Sequence, residues 1–262
     1  MDLHLSGKTA VVTGASKGIG LAIAQALADE GVSVAAGARD PSDELSQLAA
    51  RAPVRPVLAD LSTLEGPAKL VQEAMTAFGK LDVVVNNVGA VRPHLDGFLS
   101  FTEDDWERAL TINFLAAVRT TRATLPHLLE RSQGNIVTIC SVNAFLPDPT
   151  IIDYSASKAA LLNFSKSLSK EVGPRGIRVN TISPGPVSTA LWLSDSGVAA
   201  TIARATGSQA DAVAKQAATQ SATGRFTTPQ EVADLVLMLA SDRAGNVTGA
   251  DFVIDGGLIT TL

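Results

Sequence analysis

Short apolar runs rich in β-branched residues alternate along the chain with longer stretches in which apolar and polar residues recur at helical spacing. The short runs predict strands at Thr9–Thr13, Val32–Ala36, Val54–Leu58, Leu81–Asn86, Asn135–Cys140, Arg178–Ser183 and Asp251–Ile254. The longer stretches predict helices at Gly18–Glu30, Asp43–Ala50, Thr63–Phe78, Glu103–Arg131, Tyr154–Val172 and Pro229–Ala240. This alternation indicates an α/β fold with a doubly wound, seven-stranded, mostly parallel sheet and helices on both faces. The strands are almost wholly apolar, as expected when both faces of a sheet are covered.

The predicted strands extend over nearly the whole chain, so we expect a single domain at residues 1–262. The one irregular stretch is Pro184–Thr228, which is rich in alanine, sparsely charged and follows the sixth strand. A long segment at the carboxyl ends of parallel strands is often a substrate lid. We therefore expect a substrate lobe or lid at about residues 186–228.

Composition and charge exclude several classes of partner. The formal net charge is −5 and Lys and Arg form no run, which argues against nucleic acid or an anionic membrane surface. The single cysteine, Cys140, excludes an intrachain disulfide and a cysteine-based zinc site, and His4, His94 and His127 lack the spacing of metal ligands. No apolar run reaches membrane-spanning length and the first residues are not basic, so we expect a cytoplasmic protein without a bound metal.

The only tyrosine of the chain, Tyr154, lies thirteen residues after Ser141 and four residues before Lys158. On a helix, this spacing places the phenol and the ammonium on one face. A tyrosine has a pKa near ~10, and a nearby cation lowers it by favouring the phenolate. The pattern predicts a general acid/base. Taken alone, it is a weak motif and far more typical of a half-buried tyrosine beside a lysine whose stem lies along an amphipathic helix.

A glycine-rich turn follows the first predicted strand and opens the first helix. Glycines at this place allow the backbone to approach a pyrophosphate, and the helix N-terminus supplies free N–H groups and the positive end of a dipole. The pattern predicts a Rossmann-like nucleotide site; its alternative is an ordinary tight turn between a strand and a helix. The residues expected to contact the cofactor here are Gly14, Ser16, Lys17, Gly18, Ile19 and Gly20.

The residues after the second strand predict which dinucleotide is bound. Arg39 is the first polar side chain there, and Lys17 of the glycine turn could reach the same place. Two cations favour the 2′-phosphate of NADP, whereas an acid would favour the free ribose of NAD. Asp40 could instead neutralise Arg39 in a surface pair, so NAD remains the alternative.

Together, these motifs make the chain resemble the short-chain dehydrogenase/reductase family over nearly its whole length. Further matching motifs are Asp60 after the third strand, Asn86-Asn87-Val88-Gly89 after the fourth, Asn113 in the long helix, Ser141 at the end of the fifth, Pro184-Gly185-Pro186-Val187-Ser188-Thr189, Val247-Thr248-Gly249 and Asp255-Gly256-Gly257. Val88 stands where the family usually has alanine. The segment after Thr189 is longer than in compact members, so the resemblance does not carry over the substrate.

The resemblance implies a role for each catalytic residue. Tyr154 would be the acid in ketone reduction and the base in alcohol oxidation, and Lys158 would lower its pKa and bind the nicotinamide ribose. Ser141 would steady the substrate oxygen, and Asn113 would hold a water that links Lys158 to solvent. The remaining implied cofactor contacts are Arg39, Asp60, Leu61, Asn87, Gly89, Tyr154, Lys158, Pro184, Gly185, Val187 and Thr189.

The sequence therefore predicts an oxidoreductase that transfers a hydride between NADP(H) and a small carbonyl or secondary alcohol. One alternative is a 3-oxoacyl-(acyl-carrier-protein) reductase, for which Lys170 and Arg131 are available but form no clear basic cluster. The others are a catalytically inactive nucleotide-sensing module and an interaction scaffold. The resemblance also implies a homotetramer that assembles through the two longest helices. Leu191, Trp192, Leu193 and Ile202 indicate an apolar substrate or the packing of the lobe itself.

Overall fold

The computed structural model describes residues 2–261. Its sheet has seven strands, all parallel, in the order β3-β2-β1-β4-β5-β6-β7. The strands are β1 (Thr9–Thr13), β2 (Ser33–Ala38), β3 (Val54–Leu58), β4 (Val83–Asn86), β5 (Gly134–Ile139), β6 (Ile177–Pro184) and β7 (Asp251–Ile254). The prediction of a seven-stranded, mostly parallel sheet is confirmed, with strand ends shifted by at most two residues. Pro56, which cannot donate a ladder hydrogen bond, lies in the edge strand β3.

Ten α-helices are present in the described part of the chain. They are α1 (Gly18–Asp29), α2 (Asp43–Arg51), α3 (Gly66–Phe78), α4 (Glu103–Leu110), α5 (Ala116–Arg131), α6 (Ile152–Val172), α7 (Ala190–Leu193), α8 (Val198–Thr206), α9 (Ala210–Thr219) and α10 (Pro229–Ala240). Within residues 2–261, none of them is long and apolar enough to cross a bilayer.

Two features of the helices differ from the sequence-based expectation. The stretch predicted as one helix at Glu103–Arg131 is α4 and α5 joined by a π-helical turn at Thr111–Leu115. The segment predicted as irregular contains α7, α8 and α9. The sequence pattern missed these helices because they bury few side chains: α8 buries only Ala199 and Ala203, and α7 and α9 bury none. In addition, α7 has only four residues, and the apolar positions of α8 and α9 are mostly alanines, which indicate a buried face only weakly.

The two faces of the sheet bury separate layers of core. Ala10 and Val12 of β1 face the layer that contains α1 and α10, whereas Val11 faces the layer that contains α3 and α5. This alternation is the two-residue period of a strand. The order of the strands reverses between β1 and β4, and in doubly wound sheets the ligand crevice lies at the carboxyl ends of the strands at such a reversal.

The stretch after residue 186 leaves the sheet, and its two ends pair with each other. Val187 forms an isolated parallel bridge with Thr227. Ser188 N donates to Thr227 O at 2.9 Å, and Thr227 N donates to Pro186 O at 3.0 Å. We call residues 186–228 the lobe, as the sequence suggested, and these hydrogen bonds close its neck.

Candidate active site

The glycine turn folds tightly on itself at the carboxyl end of β1. Gly14 and Gly18 have φ angles of 66° and 56°, a left-handed conformation that favours glycine. A Cβ on Gly20 would lie 2.2 Å from the carbonyl oxygen of Gly14, so no larger residue fits there. Lys17, the N-cap of α1, provides no side-chain cap, which leaves the first N–H groups of the helix for an anion. The turn therefore fits the pyrophosphate of a dinucleotide.

Two side chains join β1 to β4 at the point where the strand order reverses. Asn87 Nδ2 donates to Thr13 O at 2.8 Å and to Gly14 O at 3.1 Å. Thr13 Oγ1 accepts from Asn87 N at 2.8 Å and from Val88 N at 3.0 Å. These bonds fix the glycine turn against the segment after β4, and they explain an asparagine at position 87 without a ligand.

The residues predicted to bind the adenine ribose lie beside the turn. Arg39 Nε is 3.1 Å from Asp40 Oδ2, and the two side chains are 76% and 77% exposed. A pair this exposed contributes about 0–1 kcal/mol, so it does not hold Arg39 away from a phosphate. Hydrogen bonds from Ser62 lower the pKa of Asp60, and the nearby Arg39 acts in the same direction. The side chain of Leu61 is buried in the core, which leaves only its backbone for the predicted cofactor contact.

Tyr154 and Lys158 lie one helical turn apart near the start of α6. Lys158 Nζ is 5.7 Å from the centre of the Tyr154 ring and donates to the carbonyl of Ile139 at 2.9 Å. Lys158 is only 3% exposed, and burial lowers its pKa. An ammonium has three N–H donors, and the hydrogen bond to Ile139 uses one of them. The others can donate to a hydroxyl of a ribose.

The pKa of Tyr154 differs from the sequence-based expectation. Burial raises it to about 12, against the opposing effect of a hydrogen bond with Ser141. The lowering expected from Lys158 is absent: burial has the largest effect on this pKa, and the effect that lowers it comes from Ser141. At neutral pH the phenol is therefore protonated, which is the form that donates a proton to an alkoxide.

Ser141 is buried at the carboxyl end of β5, at the start of a short 3₁₀ turn. Its hydroxyl donates to Asn143 Oδ1 at 3.1 Å and accepts from Asn143 N at 3.2 Å. Asn143 was not identified from the sequence, although it lies only two residues from Ser141.

Asn113 lies in the π-helical turn and is 1% exposed. Its Nδ2 donates to Ala90 O at 2.9 Å and to Ala109 O at 3.0 Å, and its Oδ1 accepts from Ala90 N at 2.9 Å. A Cβ on Gly89 would lie 2.9 Å from Asn113 Oδ1 and 3.5 Å from Lys158 Nζ, so Gly89 lies between these two side chains. The side chain of Asn113 therefore braces the segment after β4, and π-helical turns are frequent at functional sites.

These residues surround a cavity of about 440 Å³ at the carboxyl ends of the strands. Its lining includes many of the residues predicted from the sequence: Ile19, Asn87, Gly89, Ser141, Tyr154, Lys158, Pro184, Gly185, Val187 and Thr189. From the lobe it includes Leu191, Trp192 and Ile202, which supports a substrate-facing role for them, but not Leu193, which is 51% exposed.

Part of the lining of this cavity was not predicted from the sequence. It includes Asn143, the segment Leu146–Ile151, Gln220 and Leu258. A signal for the segment was present, because Pro147 and Pro149 follow β5 on the side of the sheet where the other motifs lie. Among residues 2–261, no three His, Cys, Asp or Glu side chains form a group that could hold a metal ion.

Comparison with known proteins decides the family. The family model described as "Enoyl-(Acyl carrier protein) reductase" matches residues 14–259. The chain belongs to the short-chain dehydrogenase/reductase family. This short-chain dehydrogenase/reductase is an NAD(P)-dependent oxidoreductase that acts on the CH–OH group of donors.

Its relatives include reductases of several kinds. The 3-oxoacyl-(acyl-carrier-protein) reductase FabG of Thermotoga maritima is 31% identical over 261 residues, covering 98% of this chain and 100% of the relative. Oxidoreductase UcpA of Salmonella typhimurium is 36% identical over 260 residues, covering 97% of this chain and 95% of the relative. A crystal structure of L-sorbose reductase from Gluconobacter frateurii, complexed with NADPH and L-sorbose, has a TM-score of 0.91 and 33% identity, and covers 100% of both chains.

Proposed function

We propose that this short-chain dehydrogenase/reductase is an NADP-dependent carbonyl reductase, working in reverse as a secondary-alcohol dehydrogenase. The observation that carries the proposal is that Tyr154, Ser141 and Lys158 line one cavity with the segments predicted to hold the nicotinamide. Tyr154 is the general acid in reduction and the general base in oxidation. All four predicted catalytic residues, including Asn113, are present, which argues against a catalytically inactive sensing module.

The chain's own part in the reaction is to bind and protonate an oxygen. A bound nicotinamide supplies the hydride in reduction and accepts it in oxidation. As the carbonyl carbon becomes an alcohol carbon, negative charge develops on the oxygen, and the hydroxyls of Ser141 and Tyr154 stabilise it by hydrogen bonding. The raised pKa of Tyr154 keeps its proton available, and the proton moves to the much more basic alkoxide. Lys158 holds the nicotinamide ribose, and Asn113 links Lys158 to solvent through a water.

NADP is the proposed cofactor and NAD the alternative. Arg39 follows β2 and Lys17 lies in the glycine turn, and we propose that they bind the 2′-phosphate; the pair between Arg39 and Asp40 is too exposed to compete strongly with a phosphate. The similar L-sorbose reductase was crystallised with NADPH, which supports the same choice here. The glycine turn holds the pyrophosphate, Asp60 and Leu61 border the adenine, and the segment Pro184–Thr189 contacts the nicotinamide.

The substrate is proposed to be an uncharged carbonyl compound or alcohol held under the lobe. Lys158 is the one Lys or Arg that lines the cavity within the described residues, so an anionic substrate would lack a second cation. Apolar side chains of the lobe, among them Trp192 and Ile202, form much of the opposite wall. A 3-oxoacyl-(acyl-carrier-protein) reductase is the second candidate, supported by the FabG relatives. Against it, Arg131 is paired with Asp82 at 2.9 Å and is not free for an acidic carrier.

We further propose a homotetramer in the cytoplasm. Phe98 and Leu99, just before α4, are 60% and 95% exposed, and an apolar surface of this kind favours contact with another subunit. The one cysteine, Cys140, is buried and free, in keeping with a reducing compartment. Light scattering at micromolar concentration tests the assembly, and a monomeric mass would exclude it.

The function is tested by following the consumption of NADPH and NADH by absorbance with a panel of ketones, sugars and 3-oxoacyl thioesters. The wild type should reduce an uncharged ketone or sugar with NADPH. Tyr154→Phe, which removes one hydroxyl and little volume, should lower the rate by ~10²–10⁴-fold or more while leaving NADPH binding nearly intact. If the variant keeps a third of the wild-type rate, Tyr154 is not the acid. Binding of NADPH without turnover of any compound would favour the sensing module.

A further inference from the structure

Asn143 forms hydrogen bonds through its backbone N–H and through both polar atoms of its side chain. Its backbone N–H donates to Ser141 Oγ at 3.2 Å, its Oδ1 accepts from Ser141 Oγ at 3.1 Å, and its Nδ2 donates to Leu146 O at 3.1 Å. The side chain also lines the cavity. Asn143 therefore contacts the catalytic hydroxyl of Ser141 twice and is itself fixed from the other side.

These contacts determine which way the amide of Asn143 points. A carbonyl oxygen such as that of Leu146 can only accept, so the amide must place its NH₂ group there and its oxygen towards Ser141. A serine hydroxyl has one proton, and Oδ1 of Asn143 receives it. With its proton directed to Asn143 and one lone pair bound by Asn143 N–H, Ser141 has one lone pair left for another donor.

We propose that Asn143 is a positioning residue that sets the direction of the Ser141 O–H bond. By holding the proton of Ser141, Asn143 keeps that proton from the phenol oxygen of Tyr154, so that the phenol retains its own proton for the substrate oxygen. When a carbonyl oxygen arrives, the O–H bond of Ser141 turns from Asn143 to that oxygen, and Ser141 keeps its proton throughout. This inference rests on the proposed function of Ser141 and Tyr154.

A purely structural role is the competing explanation, because Asn143 also contacts the segment Leu146–Ile151 of the cavity lining. That segment has a second brace of its own. Asp148 Oδ1 accepts from Thr150 N at 2.8 Å and from Thr150 Oγ1 at 2.7 Å, and His94 N donates to Thr150 O at 2.8 Å. The segment is therefore held in place without Asn143. What distinguishes Asn143 is its contact with Ser141.

The single tyrosine of the chain makes a direct test practicable. Because tyrosinate absorbs in the near ultraviolet, an optical titration of this protein reports Tyr154 alone, and Tyr154→Phe serves as the blank. A stopped-flow pH jump measures the titration before alkaline unfolding. Asn143→Leu removes the acceptor while keeping similar volume. It frees the proton of Ser141 to stabilise the phenolate, and it should lower the pKa of Tyr154 by about half to one unit.

A double-mutant cycle with Ser141→Ala separates the two explanations. In the Ser141→Ala background, Asn143→Leu should leave the titration unchanged, because no hydroxyl remains to be directed. Equal shifts in both backgrounds, or no shift in either, would overturn the proposal. Asn246→Leu is the matched control, since Asn246 is exposed and distant in sequence from the site residues. The titration needs no substrate, so it stays decisive even if the proposed reaction is wrong.

Turnover gives a second, independent result. With a substrate that the wild type reduces, Asn143→Leu should lower kcat by ~2–10-fold, with KM and NADPH affinity within about twofold, because one neutral hydrogen bond is affected. The profile of alcohol oxidation against pH should move to lower pH, in the same direction as the optical titration. A rise in KM with unchanged kcat and an unshifted pH profile would mean that Asn143 only shapes the cavity wall, and would overturn the proposal.

Discussion

The two walls of the cavity are built differently. The wall formed by the glycine turn and the ends of β1 and β4 presents backbone groups that are closely packed: Gly20 leaves no space for a methyl group, and Asn87, which follows β4, is hydrogen-bonded to Thr13 of β1. The opposite wall, formed by the lobe, consists of short helices. None of α7, α8 and α9 has a side-chain N-cap, and together they bury only two alanines.

The difference corresponds to what each wall binds. A dinucleotide presents the same pyrophosphate and riboses to every enzyme that uses it, and backbone N–H groups at a helix N-terminus suit that unchanging partner. A substrate differs from enzyme to enzyme, and side chains on a loosely packed lobe can change without disturbing the sheet. We therefore expect substitutions in the first wall to affect cofactor binding and chemistry, and those in the lobe to affect substrate preference.

The lobe is nevertheless well anchored where it ends. Thr228 and Glu231 form a capping box at the start of α10, and Arg225 binds both carboxylate oxygens of Glu231 at 2.9 and 2.6 Å. The hydrogen bond with Arg225 is the largest of several effects that lower the pKa of Glu231 to about 2. Backbone hydrogen bonds also close the neck at Val187 and Thr227. Substitutions inside the lobe should therefore not alter the structure of the sheet.

The largest effect is expected for Lys158, which lies on the first wall. Lys158→Ala should reduce turnover by ~10²–10⁴-fold and also weaken NADPH binding, because the proposed roles join the ammonium to both the phenol and the ribose. Stopped-flow turnover and NADPH fluorescence titration measure the two effects separately. A variant with lost turnover but wild-type NADPH affinity would show that Lys158 does not contact the ribose.

A smaller effect is expected for Arg39, at the exposed edge of the same wall. One charge-assisted contact with a 2′-phosphate gives ~10–100-fold preference for NADPH over NADH. Arg39→Asp should reverse that preference by removing the donors and adding repulsion. The ratio of kcat/KM for the two cofactors is the measurement, with Arg55→Asp as control because Arg55 pairs with Glu73 away from the turn. Equal values in the wild type would mean that Arg39 points into solvent.

The glycine turn allows the packing of the first wall to be tested directly. A methyl group at Gly20 would meet the Gly14 carbonyl at 2.2 Å, whereas one at Gly173, with φ −55°, would meet no atom within 4 Å. Gly20→Ala should cost about 1–3 kcal/mol of stability through overpacking and lower NADPH affinity by roughly tenfold. Gly173→Ala should change neither. Thermal unfolding and NADPH titration compare the pair, and equal behaviour of the two variants would contradict the geometry.

The same contrast explains how far the sequence could be interpreted. The five central strands, β1, β2, β4, β5 and β6, were predicted because each is an almost wholly buried apolar run, and the glycine turn was found because its glycines are sterically required. The π-helical turn at Asn113 was not predicted, since it depends on the bonds between Asn113 and Ala90, which are distant in sequence. The raised pKa of Tyr154 was not predicted either, because burial of a phenol is a property of the whole fold.

The lobe was outlined by the sequence but its structure was not. Its boundaries follow from the apolar strand before it and the capping box after it, whereas α7 has only four residues and the apolar positions of α8 and α9 are mostly alanines. The cavity residues Gln220 and Leu258 were missed for a related reason. Nothing in their local sequence indicates that the chain brings them over the end of the sheet.

The smallest effect is expected in the lobe itself, at Trp192. Its indole lines the cavity and packs edge-on against Phe226, with ring centres 5.2 Å apart. Trp192→Ala should change kcat/KM by a few-fold to tenfold, and unequally between bulky and small ketones, because it enlarges the substrate wall. NADPH affinity should stay within about twofold, since Trp192 lies on the lobe and not on the glycine turn. Leu193→Ala, beside it but outside the cavity, is the control. A loss of NADPH affinity in the Trp192 variant would mean that the two walls are coupled, and that the lobe does not act on substrate preference alone.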